Sequence, residues 1–378
     1  MWKSHTPRAA VCSLLVLGLL AASLGAAEPS VAELQRQHET MVAKATTFLL
    51  NKGRASDGSY SASTGIGVTA LVTTALLRSG VPASDSRLAG SIDYLLQHIN
   101  DDGGIYSKGS LYRNYETCLV ILCLTEANDD GQYDQVLKRA DAFVKGIQWD
   151  ESEDKEKGDP GYGGAGYGKH KRPDLSNTSF LIDALKATGN GADSEALQRA
   201  LVFVSRCQNM ESEHNTTPFA SKSPDGGFYY TPAAGGTSQA GKTANGGLRS
   251  YASMTYAGLK SMIYAGVGPE DKRVKAAYGW IQRHYDLSSN PGMGKAGLYY
   301  YYHTFAKALD AMDVDEVEDD QGIKHNWRQE LIETLAKNQL PDGSWINEND
   351  RWYEGDANLV TGYALLALSY CRVDAADE

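Results

Sequence analysis

The amino-acid sequence predicts an all-α protein in which six helical hairpins close into a double ring, and three observations predict this fold. Six segments place apolar residues three or four positions apart, as amphipathic helices do. A glycine-rich turn follows each of these segments. A second segment that is apolar on nearly all sides follows each turn, and such a helix has to be covered all round.

The amphipathic segments are expected to form the outer ring, because each keeps a polar stripe that can face solvent. They are residues 31–50, 92–99, 136–147, 197–207, 274–285 and 327–335. Five of the six turns that follow them combine Asp-Gly or Gly-Gly with an aromatic residue, as in Asp342-Gly343-Ser344-Trp345, and the remaining turn contains Gly292-Met293-Gly294. Glycine in such a turn permits a left-handed backbone, and we expect the aromatic residue to pack back on the helix just completed.

The segments that are apolar on all sides are expected to form the inner ring. They are residues 65–77, 115–124, 177–187, 251–264, 299–312 and 357–370. An open solenoid of stacked hairpins is the competing arrangement, but it would expose apolar faces at both ends unless these were capped. Because the first and last helices resemble those in the middle of the chain, the sequence favours closure.

The composition and the start of the chain limit the class of protein. A net charge of −11 argues against a nucleic acid as the main partner, since that requires clustered Lys and Arg. Lys3 and Arg8, an apolar stretch and Gly25-Ala26-Ala27 indicate a signal peptide at residues 1–27. We therefore expect residues 28–378 to form one exported toroid domain, periplasmic or extracellular, with no integral membrane span.

Four cysteines follow the predicted signal peptide: Cys118, Cys123, Cys207 and Cys371. Cys118 and Cys123, five residues apart on one helix, face apart, whereas other disulfide pairings stay open. No Cys-x-x-C pattern is present, and buried free thiols are the favoured interpretation. The acidic run at 313–320 predicts a solvated loop. Lys260 and Lys307 lie in the second halves of inner helices, where the helix dipole favours cations.

Residues 102–124, 225–264 and 339–370 resemble the prenyltransferase and squalene-cyclase repeat, and the resemblance extends over nearly the whole mature chain. The last unit carries Gln339, Asp342-Gly343 and Trp345, like the QW motif that ties successive repeats together in that family. The resemblance implies an (α/α)6 toroid with a central cavity, of an exported bacterial type. It predicts the fold more specifically than the activity, because this toroid carries many functions.

The chemistry of the family is only partly represented. Its cyclases use an Asp-x-Asp-Asp acid motif, whose closest counterpart in this chain is Glu354-Gly355-Asp356. Its protein prenyltransferases hold zinc through an Asp-x-Cys pair and a His, of which only His303 has a counterpart. One imidazole does not make a zinc site, so we expect no metal and no cofactor.

Polar and aromatic residues at or near the starts of the inner helices mark a candidate site at one mouth of the ring. The candidate catalytic residues are Asp356, His303 and Glu354. The candidate substrate-binding residues are Tyr115, Glu116, Asn177, Arg249, Tyr251, Tyr256, Tyr302, Asn349, Arg351 and Trp352. Local explanations remain open: Glu116 and Asp356 can cap helices, and a lone histidine can belong to the core.

Three hypotheses about function follow. The leading one is an isoprenoid cyclase-like or transferase-like toroid that acts on or binds a lipid. The second is a carbohydrate-active (α/α)6 enzyme, and the third is a noncatalytic binding or scaffold toroid. A long apolar cavity would favour the first, an open polar cleft with paired carboxylates the second, and a filled ring the third.

Overall fold

The computed structural model describes residues 30–168 and 172–371, so the predicted signal peptide lies outside the described residues. Within those ranges the chain forms twelve α-helices. In chain order they are α1 (Val31–Phe48), α2 (Gly67–Arg78), α3 (Ser86–Leu96), α4 (Arg113–Glu126), α5 (Asp134–Lys145), α6 (Leu175–Ala187), α7 (Glu195–Arg206), α8 (Ala252–Tyr264), α9 (Lys272–Arg283), α10 (Leu298–Ala311), α11 (Trp327–Asn338) and α12 (Ala357–Leu368).

The even-numbered helices form a closed inner ring. Each packs against the next even-numbered helix, and α12 packs against α2 to complete the circle. The odd-numbered helices pack outside, with α1 in contact with both α11 and α12. The predicted all-α double ring is confirmed, and its closure excludes the open solenoid.

Glutamines that follow the outer helices tie the repeats together. The Gln339 side-chain amide donates to the carbonyl oxygens of Gly343, in its own turn, and of Met41, on α1, both at 3.0 Å. Gln148 and Gln208 make the corresponding pairs of bonds. Their acceptors are the carbonyls of Gly163 and Ala196 for Gln148, and of Gly226 and Arg273 for Gln208. The Gln339 bond to Met41 therefore joins the last repeat to the first.

The aromatic residue of the last turn packs as predicted. The Trp345 indole is fully buried and donates to the Leu335 carbonyl of α11 at 2.8 Å, on the helix just completed. Gly343 has φ +93°, and a Cβ there would lie 2.4 Å from the Lys44 carbonyl oxygen of α1. Only glycine fits this close approach between the last turn and the first outer helix.

The acidic link between α10 and α11 differs from the predicted loop. It contains a two-stranded antiparallel hairpin, β1 (Glu316–Glu318) and β2 (Lys324–Asn326). Val317 is fully buried between two exposed glutamates, so one apolar residue anchors the strand to the body of the protein. The acidic run thus lies partly on the exposed face of a strand.

The four cysteines of the described chain, Cys118, Cys123, Cys207 and Cys371, are buried and free, as the favoured interpretation had it. Burial in apolar surroundings raises the pKa of each thiol. In residues 30–168 and 172–371, no helix combines the length and apolar character needed to cross a bilayer.

Candidate functional site

A cavity of about 340 Å³ lies at the N-terminal ends of the inner helices. All six inner helices contribute residues to its lining, and α8 does so through Ser253 and Met254. Nearly half of the residues that line it are aromatic. This is the mouth of the ring at which the sequence placed its candidate site, and the cavity shows that the ring is not filled there.

Four aromatic side chains from four inner helices form a closed set around the cavity. Tyr115 contacts Phe180 with ring centroids 5.3 Å apart, Phe180 contacts Tyr300 at 6.3 Å, and Tyr300 contacts Tyr363 at 5.8 Å. The Tyr363 side chain lies close enough to Tyr115 for each to affect the pKa of the other, which completes the circle. We call these four residues the aromatic collar. Burial raises the pKa of Tyr115 to about 12, so its phenol stays neutral.

Loops that precede the inner helices supply further aromatic residues to the same cavity. They are Tyr112, Tyr167, Tyr230, Tyr251, Trp352 and Tyr353. Trp352 and Tyr353 both adopt left-handed backbone, with φ of 58° and 65°. Such strain in two consecutive residues persists only where the surroundings enforce it. The Trp352 ring packs on Gly297, where a Cβ would lie 3.0 Å from the indole.

Two buried carboxylates line the cavity, and each holds the start of a neighbouring inner helix. Glu354 accepts hydrogen bonds from the main-chain N–H groups of Tyr299, at 3.2 Å, and Tyr300, at 2.8 Å, in the first turn of α10. Glu116 accepts from Ile66 N–H at 3.4 Å, just before α2. Burial raises the pKa of both carboxyls, and these hydrogen bonds oppose it.

Three other candidate residues lie in the loops around the mouth of the cavity. The Arg351 guanidinium lies 4.2 Å from the centre of the Trp352 ring and donates to Gln239 at 2.7 Å. Asn349 accepts from the Arg351 main-chain N–H at 3.1 Å. Arg249 donates from its Nε to a loop carbonyl at 3.2 Å. These three side chains therefore belong to the loops at the mouth and not to the cavity lining.

Three further candidates point away from the cavity. Tyr302 donates to the Leu287 carbonyl at 2.7 Å, and the Tyr256 ring packs on Phe305 of the neighbouring inner helix at 5.1 Å, so neither lines the cavity. Asn177 donates from its side chain to Asp174 at 2.8 Å. Asp174 in turn caps α6, and burial raises its pKa to about 6. Of the run Tyr299 to Tyr302, Tyr300 is the residue that lines the cavity.

His303 lies one turn beyond Tyr300 on α10, behind the collar. Its ring stacks on Tyr363 with centroids 5.9 Å apart, and its Nδ1 has no hydrogen-bond partner among the described residues. Burial, reinforced by the charge of Lys307, holds the pKa of His303 well below its usual value. The histidine is therefore a neutral core residue at physiological pH.

A buried ion cluster of side chains from α6, α8 and α10 lies near His303. Lys260 and Lys307 approach opposite oxygens of the Asp183 carboxylate at 2.6 and 2.7 Å. Burial alone would raise the pKa of Asp183, but the two lysines outweigh it and lower that pKa to about 2. These lysines thus pair with a carboxylate, in place of the predicted interaction with helix dipoles.

Comparison with known proteins identifies the family. Residues 44–231 match the family model of the squalene-hopene cyclase C-terminal domain, and the closed ring of helical hairpins agrees with that match. The chain belongs to the prenyltransferase and squalene-cyclase superfamily of toroids. No curated protein sequence matches it significantly.

Solved structures resemble this squalene-cyclase-like toroid over most of its length. A polysaccharide lyase is 10% identical, with 90% of this chain and 97% of that chain covered and a TM-score of 0.53. A family 88 glycosyl hydrolase from Bacteroides vulgatus is 11% identical, with 90% and 99% covered and a TM-score of 0.51. A type II terpene cyclase from Scytonema in complex with geranylgeranyl dihydroxybenzoate is 14% identical, with 89% and 98% covered and a TM-score of 0.33. At these identities the first two matches show the toroid fold alone.

The position that corresponds to the cyclase acid motif has a structural role in this toroid. Asp356 caps α12 by accepting from the Leu359 N–H at 2.9 Å, and its second oxygen accepts from the Ser61 hydroxyl at 2.7 Å. The carboxyl is therefore committed to a helix start and lies outside the cavity lining. In the described ranges, no group of three or more His, Cys, Asp or Glu residues is placed to hold a metal ion.

The sequence did not reveal several residues that line the cavity. Phe180 and Tyr363 lie in the second turns of their helices, where the sequence offered no reason to separate a cavity-facing ring from a core residue. Asp183 was overlooked because the lysines that hold it come from two other helices. The one signal available was the presence of an aromatic residue within the first two turns of several inner helices.

Proposed function

We propose that this toroid binds a small, mostly apolar molecule of the isoprenoid or a related lipid class in the cavity at the N-terminal ends of its inner helices. The aromatic collar carries the proposal, because it presents ring faces from four helices to one space. Membership of the squalene-cyclase superfamily supports it. The ligand gains by removing apolar surface from water, at about 25 cal/mol per Å².

The polar atoms of two collar residues leave room for an apolar ligand. The Tyr300 hydroxyl lies 3.0 Å from the Ser176 hydroxyl, and the Phe180 ring carries no polar atom. Because the Tyr300 hydroxyl has a partner within the protein, Tyr300 and Phe180 offer mainly ring faces to a ligand. The volume of about 340 Å³ lies at the lower end of the roughly 300–1,000 Å³ range of small-molecule sites.

The location of the protein forms part of the same proposal. We infer that residues 1–27 direct export and that the remaining chain acts as one toroid domain outside the cytoplasm. Lys3, Arg8 and the small residues Gly25-Ala26-Ala27 support this inference. A fusion of residues 1–27 to a reporter that is active only after export tests it, and a reporter that stays inside the cell would refute it.

A carbohydrate ligand is the second candidate function. It is favoured by two buried carboxylates, Glu116 and Glu354, that line one aromatic cavity. Glycoside hydrolysis requires one carboxyl that can donate a proton and a second that can act as base or nucleophile. Here both carboxylates accept main-chain hydrogen bonds that hold helix starts, which favours the lipid ligand over the sugar.

The test is calorimetric titration of the mature protein with farnesol and, separately, with maltotriose. We expect saturable binding of farnesol, an increase in Tm with farnesol concentration, and no response to maltotriose. Val68→Phe fills the cavity and should abolish farnesol binding. Val31→Phe adds the same volume at an exposed site on α1 and should leave binding unchanged. Binding of maltotriose alone would favour the second candidate, and binding of neither would refute both.

A further inference from the structure

We propose that the cavity selects an organic cation, an amine or quaternary ammonium group carried on an apolar frame. This inference rests on the proposed function and specifies the class of its ligand. It follows from the charges that line the cavity, the groups that hold them and the aromatic surfaces around them.

The ionisable side chains of the lining give the cavity one sign of charge. Apart from phenols, the described lining residues include the carboxyls Glu116 and Glu354 and no Lys, Arg or His. Both carboxyls are at least 98% buried, with exposures of 2% and 1%. A buried charge is costly unless it is paired, so a cationic ligand would supply what the protein does not.

The partners of the two carboxyls suit the ionised state. Glu354 accepts from Tyr299 and Tyr300 N–H groups and from the Asn347 side-chain amide at 2.6 Å. Glu116 accepts from Ile66 N–H and, at 3.1 Å, from Ser107 N–H. These donors are neutral, and in the described chain neither carboxyl forms a salt bridge. The hydrogen bonds thus favour the negative charge without cancelling it.

The aromatic surfaces favour the same ligand. The face of an aromatic ring is negative, and a cation within about 6 Å of its centre is attracted, by about 2 kcal/mol when both are desolvated. Arg351 already stacks in this way on Trp352 at the rim, at 4.2 Å. The collar and the loop aromatics offer further ring faces deeper in the cavity, beside the two carboxylates.

The experiment compares two molecules of the same shape that differ in charge. Benzyltrimethylammonium and its uncharged isostere neopentylbenzene are titrated into the mature protein and followed by saturation-transfer NMR. We expect the cation to bind about tenfold more tightly. Equal or tighter binding of neopentylbenzene would overturn this inference and leave the apolar-ligand proposal standing, whereas binding of neither compound, together with no binding of farnesol, would refute both.

Two variants locate the effect. Glu116→Gln and Glu354→Gln keep the side-chain shape and an acceptor oxygen, and each should weaken binding of the cation about fivefold while leaving neopentylbenzene unchanged. Glu348→Gln removes an exposed charge close in sequence and should change neither. Each variant is first melted to show that it folds. Loss of both ligands in a folded variant, or of neither, would contradict a charge-based selection.

Discussion

The Glu354 carboxylate accepts a 2.8 Å hydrogen bond from the main-chain N–H of Tyr300, so a residue that faces the cavity also caps the neighbouring inner helix. Glu116 has the equivalent relationship to Ile66, just ahead of α2. In both cases an acid holds the inner helix of the preceding repeat, not its own. The mouth of the cavity is thus built from the contacts that join repeats.

Glu354→Ala should lower the free energy of unfolding by about 2–4 kcal/mol, because it leaves buried N–H donors of Tyr299 and Tyr300 without an acceptor. Denaturant unfolding measures the change. Glu348→Ala, at an exposed position of the same loop, should stay within about 0.5 kcal/mol of wild type. Equal effects of the two substitutions would show that the cap is dispensable.

Asp174 should give the protein a specific pH dependence. Burial raises its pKa to about 6, from 3.8, so the folded state keeps a proton that the unfolded state releases between these values. This contribution to stability is complete below pH 3.8 and is lost as the pH rises through about 6. The free energy of unfolding of wild type, relative to Asp174→Asn, should therefore fall by about 2 kcal/mol from pH 4 to pH 7.

Asp271 provides the control of opposite sign. It caps α9, and hydrogen bonds from Arg273 lower its pKa, so its contribution is present above its unfolded pKa and is lost as the pH falls. Wild type relative to Asp271→Asn should lose stability toward low pH. If the free energy of unfolding of wild type, relative to Asp174→Asn, instead rose with pH, the result would contradict the buried environment of the Asp174 carboxyl.

Substitutions of the acid and of one lysine in the buried ion cluster should lower the free energy of unfolding by different amounts. Asp183→Asn leaves Lys260 and Lys307 buried without a counter-charge and should cost about 3–5 kcal/mol. Lys260→Met removes one of two cations and leaves a matched pair of Asp183 and Lys307, so it should cost clearly less. Denaturant unfolding of both variants at pH 7 measures the order, and the reverse order would refute the assignment of Asp183 as shared counter-ion.

Two helical glycines should respond to alanine in opposite directions. A Cβ on Gly258 of α8 would lie 2.4 Å from the buried Phe228 ring, so Gly258→Ala should destabilise by about 1–3 kcal/mol through overpacking. A Cβ on Gly279 of α9 meets no atom closer than 3.4 Å, and Gly279→Ala should stabilise by up to about 1 kcal/mol. Stabilisation by both would show that the turn aromatic does not pack on α8.

The helical ring could be predicted because its signals are local. The spacing in residues 136–147 predicted an outer helix that the structure has as Asp134–Lys145, and the absence of charge in residues 357–370 predicted the inner helix Ala357–Leu368. Differences are confined to the ends, where capping and not periodicity decides. The role of Gln339 also followed from its place beside Asp342-Gly343.

The cavity lining was less accessible to sequence reasoning, because the direction of a side chain depends on how each inner helix is rotated within the ring. Tyr115, Glu116, Tyr251, Trp352 and Glu354 line the cavity as members of the predicted mouth. The core position of His303 could not be predicted, because the side chains around it come from helices far away in sequence. Contacts between helices that are distant in sequence, such as those of Asp183, produce no pattern in the spacing of residues along the chain.

Fluorine NMR of protein labelled with fluorotryptophan can detect an apolar ligand at the aromatic mouth, because Trp352 lines the cavity. The Trp352→Phe variant assigns the Trp352 resonance. We predict that titration with farnesol shifts the resonance of Trp352 saturably and leaves those of Trp327 and Trp345, which are fully buried away from the cavity lining, unchanged. A Trp352 resonance that does not move while calorimetry records farnesol binding would place the ligand elsewhere and refute binding at this cavity.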